Sequence, residues 1–129
     1  MNWNKLTEAG QIEEIKTLSK EKPVLIFKHS TSCSISSMSM DRLTRKWQTS
    51  DNEKVEPYYL DLIANRDLSN QVAREFGVPH ESPQVLLIKS GNAVYDNSHF
   101  GISYAWLYGQ RSRNLHTHEE KLRINYPDF

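Results

Sequence analysis

Apolar residues recur along this chain in two alternating rhythms. Ile12, Ile15 and Leu18 fall at three-residue steps among acids and lysines, which predicts a first helix. Pro23 then opens Val24-Leu25-Ile26-Phe27, an unbroken apolar run of the kind expected for a strand buried on both faces. A longer helix is predicted from about Cys33 to Trp47, where Ile35, Met38, Leu43 and Trp47 spread over a broad arc. Thr49-Ser50-Asp51-Asn52 reads as a turn. Val55 to Leu62 reads as a second strand, with Pro57 near its start. Leu68, Val72, Ala73 and Phe76 form one helical stripe, and Gly77 follows where a left-handed C-terminal cap is expected. Val85-Leu86-Leu87-Ile88 predicts a third strand, Ser90-Gly91-Asn92 a turn, and Ala93 to about Asn97 a fourth strand, the pair forming a hairpin. Ser103 is placed to cap a last helix carrying Tyr104, Leu107 and Tyr108.

Two strands joined through a helix should run parallel with a right-handed crossover, and the hairpin adds antiparallel neighbours. The prediction is an α/β layer architecture, a mixed four-stranded sheet with helices on both faces. One domain is expected over residues 1–109. The polar segment 110–129, with His116, His118 and Pro127, is read as a C-terminal tail without a pattern.

Composition narrows the function classes. Sixteen basic and sixteen acidic residues give zero formal charge, which argues against a nucleic-acid partner, since such proteins carry a basic face for phosphates. No apolar stretch approaches the ~18 residues a membrane span needs. Met1-Asn2-Trp3-Asn4-Lys5 has neither a basic leader nor an apolar core, so a cytoplasmic protein is expected. A single cysteine cannot close a disulfide within the chain, so its chemistry requires a second molecule.

That cysteine lies in His29-Ser30-Thr31-Ser32-Cys33-Ser34-Ile35-Ser36, between the first strand and the second helix. Ligands in open α/β sheets collect at the carboxyl ends of strands. A helix N-terminus carries about half a positive charge, which stabilises a thiolate. Cysteines so placed have a pKa of about 3.5–7.5 instead of ~8.5. The serine-rich flanks argue against an inert thiol in an apolar pocket. Ser36, one turn on, is a candidate donor to sulfur. Strand alternation lets only one of Lys28 and His29 face the thiol, and His29 is the candidate. Ser82-Pro83 directly precedes the third strand, where a cis bond would form a tight turn. Too few Cys and His stand near Cys33 for a zinc site, so no metal is expected.

These features together look like the thioredoxin fold, and more closely the chain resembles the monothiol bacilliredoxin family of the bacillithiol redox system. The matching residues are Ile26-Phe27-Lys28-His29-Ser30-Thr31, Cys33, Ile35 and Ser36, His80-Glu81-Ser82-Pro83-Gln84-Val85, and Ser98-His99 with Ile102. The similarity spans about residues 3 to 108. The family usually has Cys-Pro-Ile-Ser, whereas this chain has Cys33-Ser34-Ile35-Ser36, which adds an N–H donor in the first helical turn.

The resemblance implies a thiol-disulfide oxidoreductase that removes bacillithiol from S-bacillithiolated proteins through Cys33. Bacillithiol would be the exchanging thiol, with no tightly bound cofactor, and a thiol-recycling reductase would be a further partner. It implies that Ser82 aligns the substrate through its backbone and that Pro83 keeps an N–H away from the sulfur. Ser34 adds a donor there, and His99 and Ser103 meet bacillithiol's malate carboxylates. Two alternatives remain open on the residues: a non-catalytic thioredoxin-fold binding or adaptor module, and a monothiol glutaredoxin-like carrier.

Overall fold

A computed structural model describes residues 2–30 and 34–98. The predicted helix at Ser103 and the tail 110–129 lie outside the described residues. The elements run β1 (Asn4–Lys5), α1 (Gly10–Leu18), β2 (Val24–His29), α2 (Ser34–Lys46), α3 (Asp51–Lys54), β3 (Glu56–Asp61), α4 (Arg66–Phe76), β4 (Gln84–Lys89) and β5 (Asn92–Ser98). The sheet order is β1-β3-β2-β4-β5. Strands β1, β3 and β2 are parallel, while β4 pairs antiparallel with both β2 and β5.

The expected four strands are therefore five. The additional one, β1, is two polar residues long and has no apolar rhythm to announce it. It is held from outside: Asn4 pairs with Tyr58 and Lys5 with Tyr59, and the Leu6 N–H donates to the Tyr59 carbonyl at 2.8 Å. Leu6 itself is fully buried. The β1 edge also explains how β3 tolerates Pro57. The Glu56 N–H bonds back to Pro23 on the β2 side, so the next residue turns its backbone toward β1. There the Asn4 side chain donates to the Pro57 carbonyl, and the missing proline N–H deprives no partner in β2.

The turn expected at residues 49–52 becomes the start of a one-turn helix. The Asp51 carboxylate accepts the Gln48 N–H at 2.9 Å, and Trp47 Nε1 donates to Asn52 Oδ1 at 2.6 Å. These bonds fix the turn, and α3 follows directly from it.

The sheet separates two apolar layers. On one face Val24 and Ile26 pack with Ile12 and Ile15 of α1, Leu68 and Val72 of α4, and Leu60 and Leu86. On the other, Leu25 and Phe27 pack with Leu43 of α2, Val55, Val85, Leu87 and Tyr95, with Trp3 and Trp47 partly buried at the margin. The continuous apolar run of β2 thus serves both layers. Each fully buried side chain of this size contributes about 1.5–3 kcal/mol.

Helix α2 departs from the expected arc. Met38 is 57% exposed, whereas Ser36, Ser39 and Leu43 are buried. The inward stripe runs 36-39-43, and Met38, two residues from Ser36, is rotated by about 200° to the outer side. The first half of this helix therefore buries serines where apolar residues are usual.

The β4–β5 connection is a two-residue hairpin in which Ser90 and Gly91 both have positive φ, 52° and 81°. Such turns match the twist of the flanking strands. Ser19, after α1, fastens it: its carbonyl accepts the Ser90 N–H and its hydroxyl accepts the Gly91 N–H.

The two ends of the helices give a paired test. Gly77 caps α4 at φ +66°, as expected, while Gly10 opens α1 with open space where a Cβ would stand. Gly77→Ala is expected to lower stability in urea denaturation by about 1–2 kcal/mol, the cost of a left-handed L-residue. Gly10→Ala should raise it by about 0.5–1 kcal/mol.

Candidate active site

Strand β2 ends in Lys28 and His29, both buried and on opposite faces of the sheet because side chains alternate. His29 turns to the α2 side. Its Nδ1 lies 2.5 Å from the Ser36 hydroxyl, in the first turn of α2. The same oxygen accepts the Ser30 N–H at 3.1 Å. The ring also stands against Tyr59 and Phe27, with centroids 5.6 and 6.1 Å away. The His29 carbonyl accepts the Leu62 N–H, which ties the end of β2 to the end of β3.

Burial sets the charge state of the ring. Burial pushes the His29 imidazolium below its ordinary range, and the carboxylates of Asp61 and Asp41 oppose this only in part. The ring is therefore neutral at pH 7. Ser36 Oγ also accepts the Ser30 N–H, and with its second lone pair and its one proton it meets His29 Nδ1 as acceptor or donor according to the ring tautomer. Once His29 gains a proton both ring nitrogens carry hydrogen, and Nδ1 then donates to Oγ.

The second component comes from β4. Lys28 pairs with Gln84, so the next step of the antiparallel register opposes Pro83 to His29. The Ser82–Pro83 bond is cis, as the sequence suggested. The structure thus gathers His29, Ser36, Ser82 and Pro83 at one end of β2. Helix α2 begins at Ser34, so its positive end faces the same region. Cys33 lies outside the described residues; in the sequence it immediately precedes Ser34. His99 and Ser103 also lie outside them. Lys28 goes to the other layer, among Ser69 and His80, a placement that alternation foretold although its partners left no sequence signal. Among the described residues no group of three or more His, Cys, Asp or Glu is arranged to hold a metal ion.

His29 makes stability depend on pH. The unfolded chain takes up a proton near 6.5, whereas the folded chain resists doing so. Folding is thus unpenalised above that pH and loses stability as pH falls from there toward the folded value. In urea denaturation compared at about pH 7.5 and about pH 5.5, His29→Gln is expected to lose less stability than the unaltered chain. Equal losses would contradict the assignment of a neutral, buried imidazole.

Comparison with known proteins gives a consistent picture. A solved structure described as having a thioredoxin fold is 32% identical, with a TM-score of 0.69, over 84% of this chain and 92% of that one. A thioredoxin from Malassezia sympodialis (18% identity, TM-score 0.66, 86% of this chain and 89% of that one) shares the fold. So does one from Fasciola hepatica (17%, 0.64, 87% and 99%). A family model described as monothiol bacilliredoxin BrxC matches residues 4–107, which include both β2 with His29 and the Ser82–Pro83 turn. This match gives the chain a thiol-redox role on a thioredoxin fold. Spanning most of a chain whose sequence holds one cysteine, it establishes that the protein belongs to the monothiol bacilliredoxin family.

Proposed function

We propose that the protein removes bacillithiol from S-bacillithiolated proteins by a monothiol exchange through Cys33. The supporting observation is the convergence of His29, Ser36 and the cis Ser82–Pro83 turn at the end of β2, beside the helix start that the only cysteine precedes.

In the proposed reaction the Cys33 thiolate attacks the bacillithiol sulfur of a protein–bacillithiol mixed disulfide. The target cysteine leaves as a thiolate, and Cys33 retains bacillithiol in a new disulfide. A second thiol, from free bacillithiol or a recycling reductase, attacks that disulfide and returns Cys33 to the reduced state. Electrons balance, because one disulfide is exchanged for another at each step.

The positive end of α2 stabilises the thiolate, and Ser34, where the family usually has proline, adds an N–H donor. His29 and Ser36 tune that field through their shared proton. The Ser82 backbone receives the incoming disulfide as an added extended strand would. Pro83, lacking an N–H, places no competing donor against the sulfur. His99 and Ser103 are assigned to the malate carboxylates. No helix among the described residues is long and apolar enough to cross a membrane. A cytoplasmic site of action, where thiols stay reduced, is part of the same proposal.

Two measurements test it. Intact mass spectrometry after mixing with a bacillithiol-modified protein should show a mass gain of one bacillithiol on Cys33, and Cys33→Ser should abolish both the gain and the release. Retained release in Cys33→Ser would end the mechanism. Iodoacetamide alkylation of Cys33 should have a pH midpoint below about 7.5. A thiol unreactive at pH 8 would instead indicate a binding or adaptor module.

A further inference from the structure

The other face of the sheet carries a buried charge that thiol activation does not use. Lys28 is fully buried, and no carboxylate among the described residues pairs with it. Its ammonium contacts the Ser69 carbonyl in α4 at 3.3 Å and His80 Nδ1 at 3.4 Å. The Ser69 hydroxyl meets the same nitrogen at 3.2 Å. Both groups donate, so Nδ1 is the acceptor and the His80 imidazole is neutral. Burial and the neighbouring charges of Lys28 and Arg66 push it the same way, against a smaller opposing effect of Glu81. Desolvation lowers Lys28 to about 8, which leaves it mostly protonated at pH 7.

Stability does not account for this lysine. An ammonium in an apolar layer is costly, and an apolar residue of similar length is often at least as stable. The same layer tolerates a second cost, since Gln84, the ladder partner of Lys28, has a buried Oε1 without a hydrogen-bond partner among the described residues. Its Nε2 donates to the Pro79 carbonyl at 3.0 Å. The segment between helix α4 and strand β4 is therefore gripped at two successive residues. Gln84 holds Pro79, while Lys28 with Ser69 holds His80. Two residues further on stands Ser82.

We infer that Lys28 is a positioning residue for the exchange reaction, its buried ammonium fixing His80 and thereby the Ser82 backbone that the incoming disulfide meets. This rests on the proposed thiol exchange. Lys28 acts on docking, not on the sulfur, because its side chain lies across the sheet from His29 and α2. His80 is exposed apart from the nitrogen it turns inward, so its anchoring, not its packing, is what Lys28 supplies.

The experiment is steady-state exchange with a bacillithiol-modified protein as the varied substrate. Lys28→Met is expected to raise KM about tenfold, the equivalent of about 1.4 kcal/mol of docking energy. The kcat and the rate of Cys33 alkylation by iodoacetamide, a reagent too small to need the docking backbone, should stay within about twofold of the unaltered chain. His80→Ala, a change at an exposed residue, should raise KM similarly and decides the matter if Lys28→Met does not fold. The double variant should be no worse than the worse single one, as for two members of one linkage. An unchanged KM in both single variants, additive losses in the double variant, or an equal fall in alkylation rate would each overturn the role of Lys28. Those results leave Cys33-dependent exchange intact, whereas exchange that survives Cys33→Ser removes the underlying reading itself.

Discussion

The last two residues of β2 are polar, buried and on opposite faces of the central sheet, and much of the surrounding structure satisfies them. A strand that serves two apolar layers has no solvent-facing side on which to leave a polar head group. His29 and Lys28 must each find hydrogen-bond partners inside a layer otherwise built from hydrocarbon, because an unpaired buried polar group costs about 1–3 kcal/mol. His29 finds Ser36, and Lys28 finds Ser69 and His80. Each link reaches a different element, so the end of β2 is joined to the start of α2 on one side and to the segment before β4 on the other.

This also explains the composition of α2. Among its described side chains, Ser36 and Ser39 are buried ahead of Leu43, with Met40 packed beside the same apolar layer. Small polar residues let the helix start approach the end of β2 and supply the oxygen that both His29 and the Ser30 N–H require. An apolar residue at position 36 would remove the oxygen that His29 Nδ1 and the Ser30 N–H share. Met40 and Leu43 carry the helix into the apolar layer, while Ser36 supplies hydrogen bonding near its start.

The neutral ring of His29 and the hydroxyl of Ser36 form one hydrogen-bonded unit. A protonated ring would donate to that hydroxyl, because both of its nitrogens then carry hydrogen. Asp61 and Asp41 moderate the effect of burial without reversing it. The cis Pro83 stands opposite this pair by strand register, so docking backbone and proton-holding side chains converge on one spot from two strands.

Much of this was legible in the sequence, and the boundary has a physical cause. The apolar run of β2, the stripe of α4 with Gly77 beyond it, and the hairpin turn at Ser90-Gly91 are local patterns, and local energetics fix them. Strand alternation alone required Lys28 and His29 to part to opposite faces. The motif around Cys33, with Ser82-Pro83, pointed to the thioredoxin fold and the monothiol bacilliredoxin family. Tertiary structure decided the rest. Strand β1 exists only because β3 offers a ladder and the core accepts Leu6. Met38 faces outward because the inward stripe of α2 follows serines, which hydropathy does not reveal. The partners of Lys28 lie 41 and 52 residues away in sequence. Such contacts depend on where distant chain segments meet, and no periodicity within one segment records that.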